Sequence, residues 1–235
     1  MQKQFYRTSI LLGEEKIDEL ATKHVIIAGV GGVGGFVVEA IVRAGIGKIT
    51  IIDHDIVDIT NINRQLIATL DSVGKPKIDL FVERVASINP ECKIVAKQVF
   101  IDENNLNDLI TQDVDYVFDC IDSVPSKIAL IRYCLANKIK IISSMGAGNR
   151  YDVTKVQIAD ISRTKSCGLA RVMRLGLKKH RITKGLKVVY SEEPGSSPLA
   201  QGKGLRPING TISYLPALFG LMMSGYVIKY LIDNS

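Results

Sequence analysis

HVIIAGVGGVGGFVVEA, residues 24–40, is an apolar run, a cluster of glycines and a second apolar run. It reads as a buried strand, a tight glycine turn and a helix, because a strand buried on both faces is continuously apolar and a sharp turn favours residues without a Cβ. Gly29, Gly31 and Gly34 satisfy G-x-G-x-x-G, with Gly32 between them. Asp53 closes the next apolar run, KITIID, about where an acid meets a ribose hydroxyl. The pattern opens a nucleotide site without choosing the nucleotide, since the same glycines can hold the pyrophosphate of NAD or the phosphates of ATP.

Outward from this turn, short apolar runs alternate with helical periods. A helix over about 33–44 leads to KITIID, and a second, over about 76–88, puts Ile78, Phe81, Val82 and Val85 on one face. KIVAKQV, a capped helix over about 102–110, DYVFDCID, the helix SKIALIRYCLANK and KIIS follow. This alternation predicts an α/β fold with a Rossmann-like, doubly wound, mostly parallel sheet. KVQIADI and KVVYSEE have a single helix between them, which predicts an antiparallel extension in the C-terminal third. PGSSPLAQGKGLRPING, residues 194–210, reads as a mobile loop. The closing run ISYLPALFGLMMSGYVIKYLI is long enough to span a bilayer, yet Pro216, Ser224, Gly225 and Lys229 interrupt it and no basic flank precedes it. A buried closing helix is the expectation, with a membrane anchor as the alternative.

With 235 residues, 46% hydrophobic and 23% charged, the chain can bury one sizeable core, so 1–235 is read as a single domain. Cys92, Cys120, Cys134 and Cys167 lie far apart and form no C-x-x-C pair. Neither a disulfide framework nor a zinc site is expected, and a reducing cytoplasm fits. The apolar stretch SILL is cut off by Glu14 and Glu15, too soon for a signal-peptide core.

Charge counting bears on the nucleotide. Backbone N–H groups at a helix N-terminus can largely hold the two charges of a dinucleotide's pyrophosphate. A triphosphate carries about twice that charge, and displacing its pyrophosphate calls for cations and usually Mg²⁺. DHDIVDITNINRQ ends in Asn61, Arg64 and Gln65, and GKPK brings Lys77 to the start of a helix, so phosphate ligands are at hand. DYVFDCIDS places Asp122 at the carboxyl edge of the sheet, where it could hold the metal.

GVGGVGG, IDHDIVDITNINRQ, VGKPK and DCIDS, in this order, resemble the ThiF/MoeB superfamily of ATP-dependent adenylating enzymes over roughly residues 1–160. The D-x-D…N-x-x-R-Q element is not part of the dehydrogenase fingerprint. The resemblance implies that Asp53 binds ribose, that Asn61, Arg64 and Lys77 bind phosphates and that Asp122 binds Mg²⁺. It implies a homodimer in which Arg7, in FYRTSILLG, reaches from the 1–20 segment into the partner's ATP site. The nucleotide-binding set is then Gly29, Gly31, Gly32, Gly34, Asp53, Asp55, Asn61, Arg64, Gln65 and Lys77, with Arg7, Arg64, Lys77 and Asp122 catalytic. Superfamily members that activate sulfur-carrier or ubiquitin-like proteins usually carry two C-x-x-C pairs. The zinc-free branch that this sequence resembles comprises the tRNA threonylcarbamoyladenosine dehydratases, on RTSILLGEEKIDEL, DCIDSVPSKIALI, GAGNRYDVTKVQIADISRTK and VVYSEE. It implies a tRNA substrate and a sulfur-transfer protein as a candidate partner. Adenylation of a carrier-protein C-terminus stays as the alternative, with Cys167 as the thiol a thioester would need.

The charge distribution points to RNA independently. Residues 163–187 hold nine Lys or Arg and no Asp or Glu in a chain of net +6, which leaves −3 for the remainder. On a helix over about 169–179, Leu169, Val172, Met173 and Leu177 are expected in the core. Arg171, Arg174, Lys178 and Lys179, with Arg181 just beyond, are expected on a tRNA-facing stripe.

Overall fold

The computed structural model describes residues 3–195 and 209–234. Seven strands form one sheet: β1 (His24–Ala28), β2 (Lys48–Ile52), β3 (Lys93–Lys97), β4 (Tyr116–Asp119), β5 (Ile141–Ser144), β6 (Val156–Asp160) and β7 (Lys187–Ser191). Their order is β3-β2-β1-β4-β5-β7-β6, with every neighbouring pair parallel except β6 and β7. The expected antiparallel extension is this β6–β7 pair. The chain leaves β1 toward β2 on one side and β4 lies on the other, so the crevice at the carboxyl end of β1 is a topological switch point.

Strand period sorts the core onto two faces. Val25 and Ile27 of β1 point to one side with Ile49, Ile51 and Phe118, and meet α3 (Gly34–Arg43), α4 (Lys77–Ile88) and α8 (Tyr214–Asp233). Ile26, Ala28 and Val117 point to the other and meet α6 (Val124–Ala136) and α7 (Gly168–Lys178). Two short helices, α1 (Tyr6–Leu12) and α2 (Glu14–Thr22), lead into β1.

α8 is the closing helix expected from the sequence. It is long and apolar enough to cross a membrane, but Leu215, Phe219, Met223, Val227 and Leu231 recur every fourth residue and all lie in the core. Gly220 lets it approach α3 closely, for a Cβ there would lie 2.4 Å from the Val33 carbonyl oxygen.

Three local readings change. The helix expected over 102–110 shrinks to α5 (Leu106–Leu109), because Asp102 Oδ1 accepts from the Asn104 N–H at 2.8 Å and Asn105 Oδ1 accepts from the Asp102 N–H at 3.1 Å. These side-chain bonds close a turn that competes with the helix. On α7, Ala170, Met173 and Leu177 form the buried stripe, whereas Val172 is 48% exposed. Val172 lies about 100° round the helix from Met173, off that stripe. Of the loop expected at 194–210, residues 196–208 lie outside the described residues.

Gly220→Ala should lower unfolding stability by about 1–3 kcal/mol, since the added methyl meets backbone that cannot swing aside. Urea denaturation followed by circular dichroism measures it.

Candidate active site

The turn after β1 is built by exclusion of side chains. Gly29 has φ +84°, and a Cβ on it would sit 2.9 Å from the Cys120 carbonyl oxygen; one on Gly34 would sit 1.8 Å from the Gly29 carbonyl oxygen. These two glycines lock turn, helix and β4 together. Gly31 differs, because the nearest atom to its added Cβ is Gln65 Nε2 at 3.7 Å, so the space before it is open. That space is a cavity of about 260 Å³ at the switch point. Gly29, Gly31, Gly32, Asp53, Asp55, Arg64, Gln65, Lys77 and Asp122 line it. Gly34 supports the turn from behind.

Asp53 is buried at the end of β2. Its Oδ2 accepts from the Val30 N–H at 2.7 Å and its Oδ1 from the Asp55 N–H at 2.9 Å, which pins the glycine turn to the neighbouring strand. Lys77, expected near phosphate, is nearly enclosed, with its side chain 4% exposed and its Nζ 2.7 Å from Asp55 Oδ2. Pairing compensates the burial of that ammonium. The Arg64 guanidinium donates to the Thr60 carbonyl at 2.8 Å and to Asn63 Oδ1 at 2.9 Å, which holds it along the cavity wall. Gln65 is buried, and its Oε1 has no hydrogen-bond partner among the described residues. An orphaned acceptor beside an open glycine is a place for a donor from a ligand. Asp122 is exposed on the rim, just before α6.

Two predicted members are elsewhere. Asn61 does not line the cavity; it is buried, and its Oδ1 accepts from the Asp58 N–H at 3.3 Å. It therefore braces the turn that carries Arg64. Arg7 lies on exposed α1, whose neighbour Phe5 faces Gly45 and Ile17 at the amino end of the strands, away from the cavity. Within one chain Arg7 does not reach the site.

Several residues of the site escaped the sequence reading. His54, Val99, Phe100, Ile101, Ser126 and Thr211 also line the cavity, and His54 meets the Phe100 ring edge-on at 5.0 Å between centroids. Among the described residues, Asp53, His54 and Asp55 place donor atoms within 4.8 Å of one another. Beneath the cavity Lys127 and Asp119 are fully buried and paired at 2.9 Å, Ser143 donates to Asp119 Oδ2 at 2.5 Å, and Lys127 also donates to the Ile121 carbonyl at 3.1 Å. This pair steadies the segment carrying Cys120 and Asp122. Arg150, also buried, donates to the carbonyls of Gly146, Ser166 and Glu193 and ties three loops beside the site. The period-2 strand pattern hides a buried Asp–Lys pair that only strand and helix packing joins.

Three of the four cysteines, Cys92, Cys134 and Cys167, are buried, and the half-buried Cys120 lines the cavity. Cys167 is 4% exposed and its Sγ accepts from the Ala170 N–H at 3.5 Å, capping α7. Burial pushes the Cys92 thiol up to about 11 and Cys134 up to about 12. In the basic segment Arg171, Lys178, Lys179 and Arg181 are exposed. Arg174 is not free on the stripe, because its half-buried guanidinium donates to the Thr164 carbonyl at 3.2 Å and to the Thr164 hydroxyl.

A doubly wound sheet with a glycine turn, an acid closing β2 and cations converging on the switch point defines a nucleotide-binding adenylation domain. The chain belongs to the ThiF family, whose model matches residues 5–235. Proteins similar to it over most of its length include tRNA threonylcarbamoyladenosine dehydratases. One from Bacillus subtilis is 40% identical over 100% of this chain and 96% of its own length. One from Escherichia coli is 41% identical over 86% of this chain and 78% of its own. A solved structure of the Escherichia coli dehydratase in complex with ATP superposes with a TM-score of 0.91 at 35% identity, covering 98% of this chain and 94% of that one.

Gly31→Val should leave the fold intact, as the new side chain enters open cavity, yet weaken ATP binding about tenfold or more, equivalent to about 1.4 kcal/mol or more. Isothermal titration calorimetry beside a thermal melt reads both.

Proposed function

We propose that this chain is an ATP-dependent tRNA threonylcarbamoyladenosine dehydratase. The full-length match to dehydratases carries the reading, and the glycine-lined cavity with Arg64 and Lys77 on its wall supports it. The threonine carboxylate of the modified adenosine at position 37 of tRNA attacks the α-phosphorus of ATP. A phosphorus–oxygen bond forms, the bond to the bridging oxygen breaks and pyrophosphate leaves. A nitrogen or oxygen of the same threonylcarbamoyl group then attacks the acyl carbon. AMP departs with the bonding pair, a proton is released and the ring closes. Net, ATP becomes AMP and pyrophosphate while the nucleoside loses one water.

Backbone N–H groups around Gly31 and the cations of Arg64 and Lys77 neutralise charge developing on the phosphates. Asp53 keeps the turn in place and offers its remaining lone pairs to ribose. Asp122, a hard oxygen donor exposed on the rim, fits Mg²⁺, which when bound would draw charge from the triphosphate. The active unit is a homodimer, in which the partner's Arg7 completes the cation set. Tyr6, Ile10 and Leu11, 59%, 69% and 81% exposed on the same helix, offer the apolar surface a subunit contact would bury. Four cysteines without disulfides suit a cytoplasmic enzyme, and a sulfur-transfer protein is its candidate partner.

The test is to incubate the protein with ATP, Mg²⁺ and tRNA bearing the open modification, then weigh the released nucleosides. Loss of one water, with stoichiometric AMP and pyrophosphate, is expected. Pyrophosphate release with carrier proteins but none with tRNA would overturn the reading. Arg64→Ala should cut turnover at least about a hundredfold, the range for losing one charge-stabilising donor, with an unchanged circular dichroism spectrum.

A further inference from the structure

A second cleft of about 680 Å³ lies where the end of α6 meets the chain leaving α7, and nothing in the adenylation chemistry uses it. Arg132 and Tyr133 of α6 form one wall; Lys179, His180 and Arg181 form the other. One carboxylate, Glu103, reaches the lining and sits 3.3 Å from Arg132, so three cations face one acid.

The second wall is fixed by the way α7 ends. The Ile182 N–H donates to the Leu177 carbonyl at 3.1 Å and the Arg181 N–H to the Lys178 carbonyl at 3.0 Å, the paired bonds of a Schellman cap. Arg181 occupies the left-handed position of that cap at φ +62°, where glycine is the low-cost residue. An arginine there gives up backbone stability and adds a charge to the cleft.

Position along α6 relates this cleft to the nucleotide cavity. Ser126 lines the cavity, while Arg132 lies six and Ala136 ten residues further on, about 9 and 15 Å along the helix axis. A polyanion with one residue in the cavity can therefore lay its backbone across the cleft. We propose that the cleft between α6 and the α7 cap holds the phosphate backbone of the tRNA strand a few nucleotides from the reacting adenosine. The proposal rests on the tRNA reading above and shifts the contact from the outward stripe of α7, where Arg174 is already committed to Thr164, to Arg132, Lys179 and Arg181.

The test is fluorescence anisotropy of labelled tRNA at several salt concentrations, with the wild type, Lys179→Gln/Arg181→Gly and the control Lys229→Gln. Lys229 is 77% exposed on α8, away from the cleft. The double variant should bind tRNA about tenfold more weakly, and its plot of log affinity against log salt should be shallower by about 1.5, the share of two phosphate contacts. Its ATP affinity should not change, and its melting temperature should hold or rise because glycine relieves the cap. Wild-type affinity and slope in the double variant, or an equal loss in Lys229→Gln, would overturn the cleft assignment alone. A wild type that does not bind tRNA would overturn the tRNA reading and the cleft with it.

Discussion

The site depends on a backbone contact that leaves no room for side chains. At the end of β1, Gly29 lies against the Cys120 carbonyl and Gly34 against the Gly29 carbonyl, so β1, α3 and the segment after β4 meet at a distance only glycine permits. The hydrogen bond from the Val30 N–H to Asp53 adds β2 to this junction. With the junction closed, Gly31 and Gly32 line an open cavity where the sheet reverses its winding. A Cβ at either tight position would part strand from helix and dismantle the cavity.

Buried ion pairs hold the chemistry in place around this junction. Lys77 is nearly enclosed and paired with the half-exposed Asp55, and Lys127 lies with Asp119 at zero exposure beneath the rim. Burying the Asp119–Lys127 pair brings little net stability, but removing one partner strands a charge at a cost of about 3–5 kcal/mol. They act as fixed struts: one sets a cation against the cavity, the other braces the carbonyl of Ile121 next to Asp122. The orphaned Oε1 of Gln65 shows that the wall is not self-satisfied and retains acceptor capacity for a ligand.

The elements on either side of the sheet divide the work. α3, α4 and α8 pack one face tightly, helped by the close approach at Gly220. α6 and α7 cover the other, and their far ends open the basic cleft. A charge run that looks uniform along the chain is thereby split: Arg174 turns inward to Thr164, while Lys179 and Arg181 are presented by the helix cap.

The sequence by itself determined the strand–turn–helix at residues 24–40, the parallel winding, the antiparallel closing pair, the buried last helix and most of the polar side chains on the cavity wall: Asp53, Asp55, Arg64, Gln65, Lys77 and Asp122. These were legible because glycine spacing, strand and helix periods and polar residues at strand ends are local consequences of backbone geometry. Only the tertiary structure decided that Asn61 braces rather than lines, that Arg7 stands at the opposite end of the strands, that Val172 is exposed, and that His54, Phe100, Thr211 and the Asp119–Lys127 pair belong to the site. Which side chains share a cavity depends on how strands and helices distant in sequence pack, and no local spacing encodes that distance.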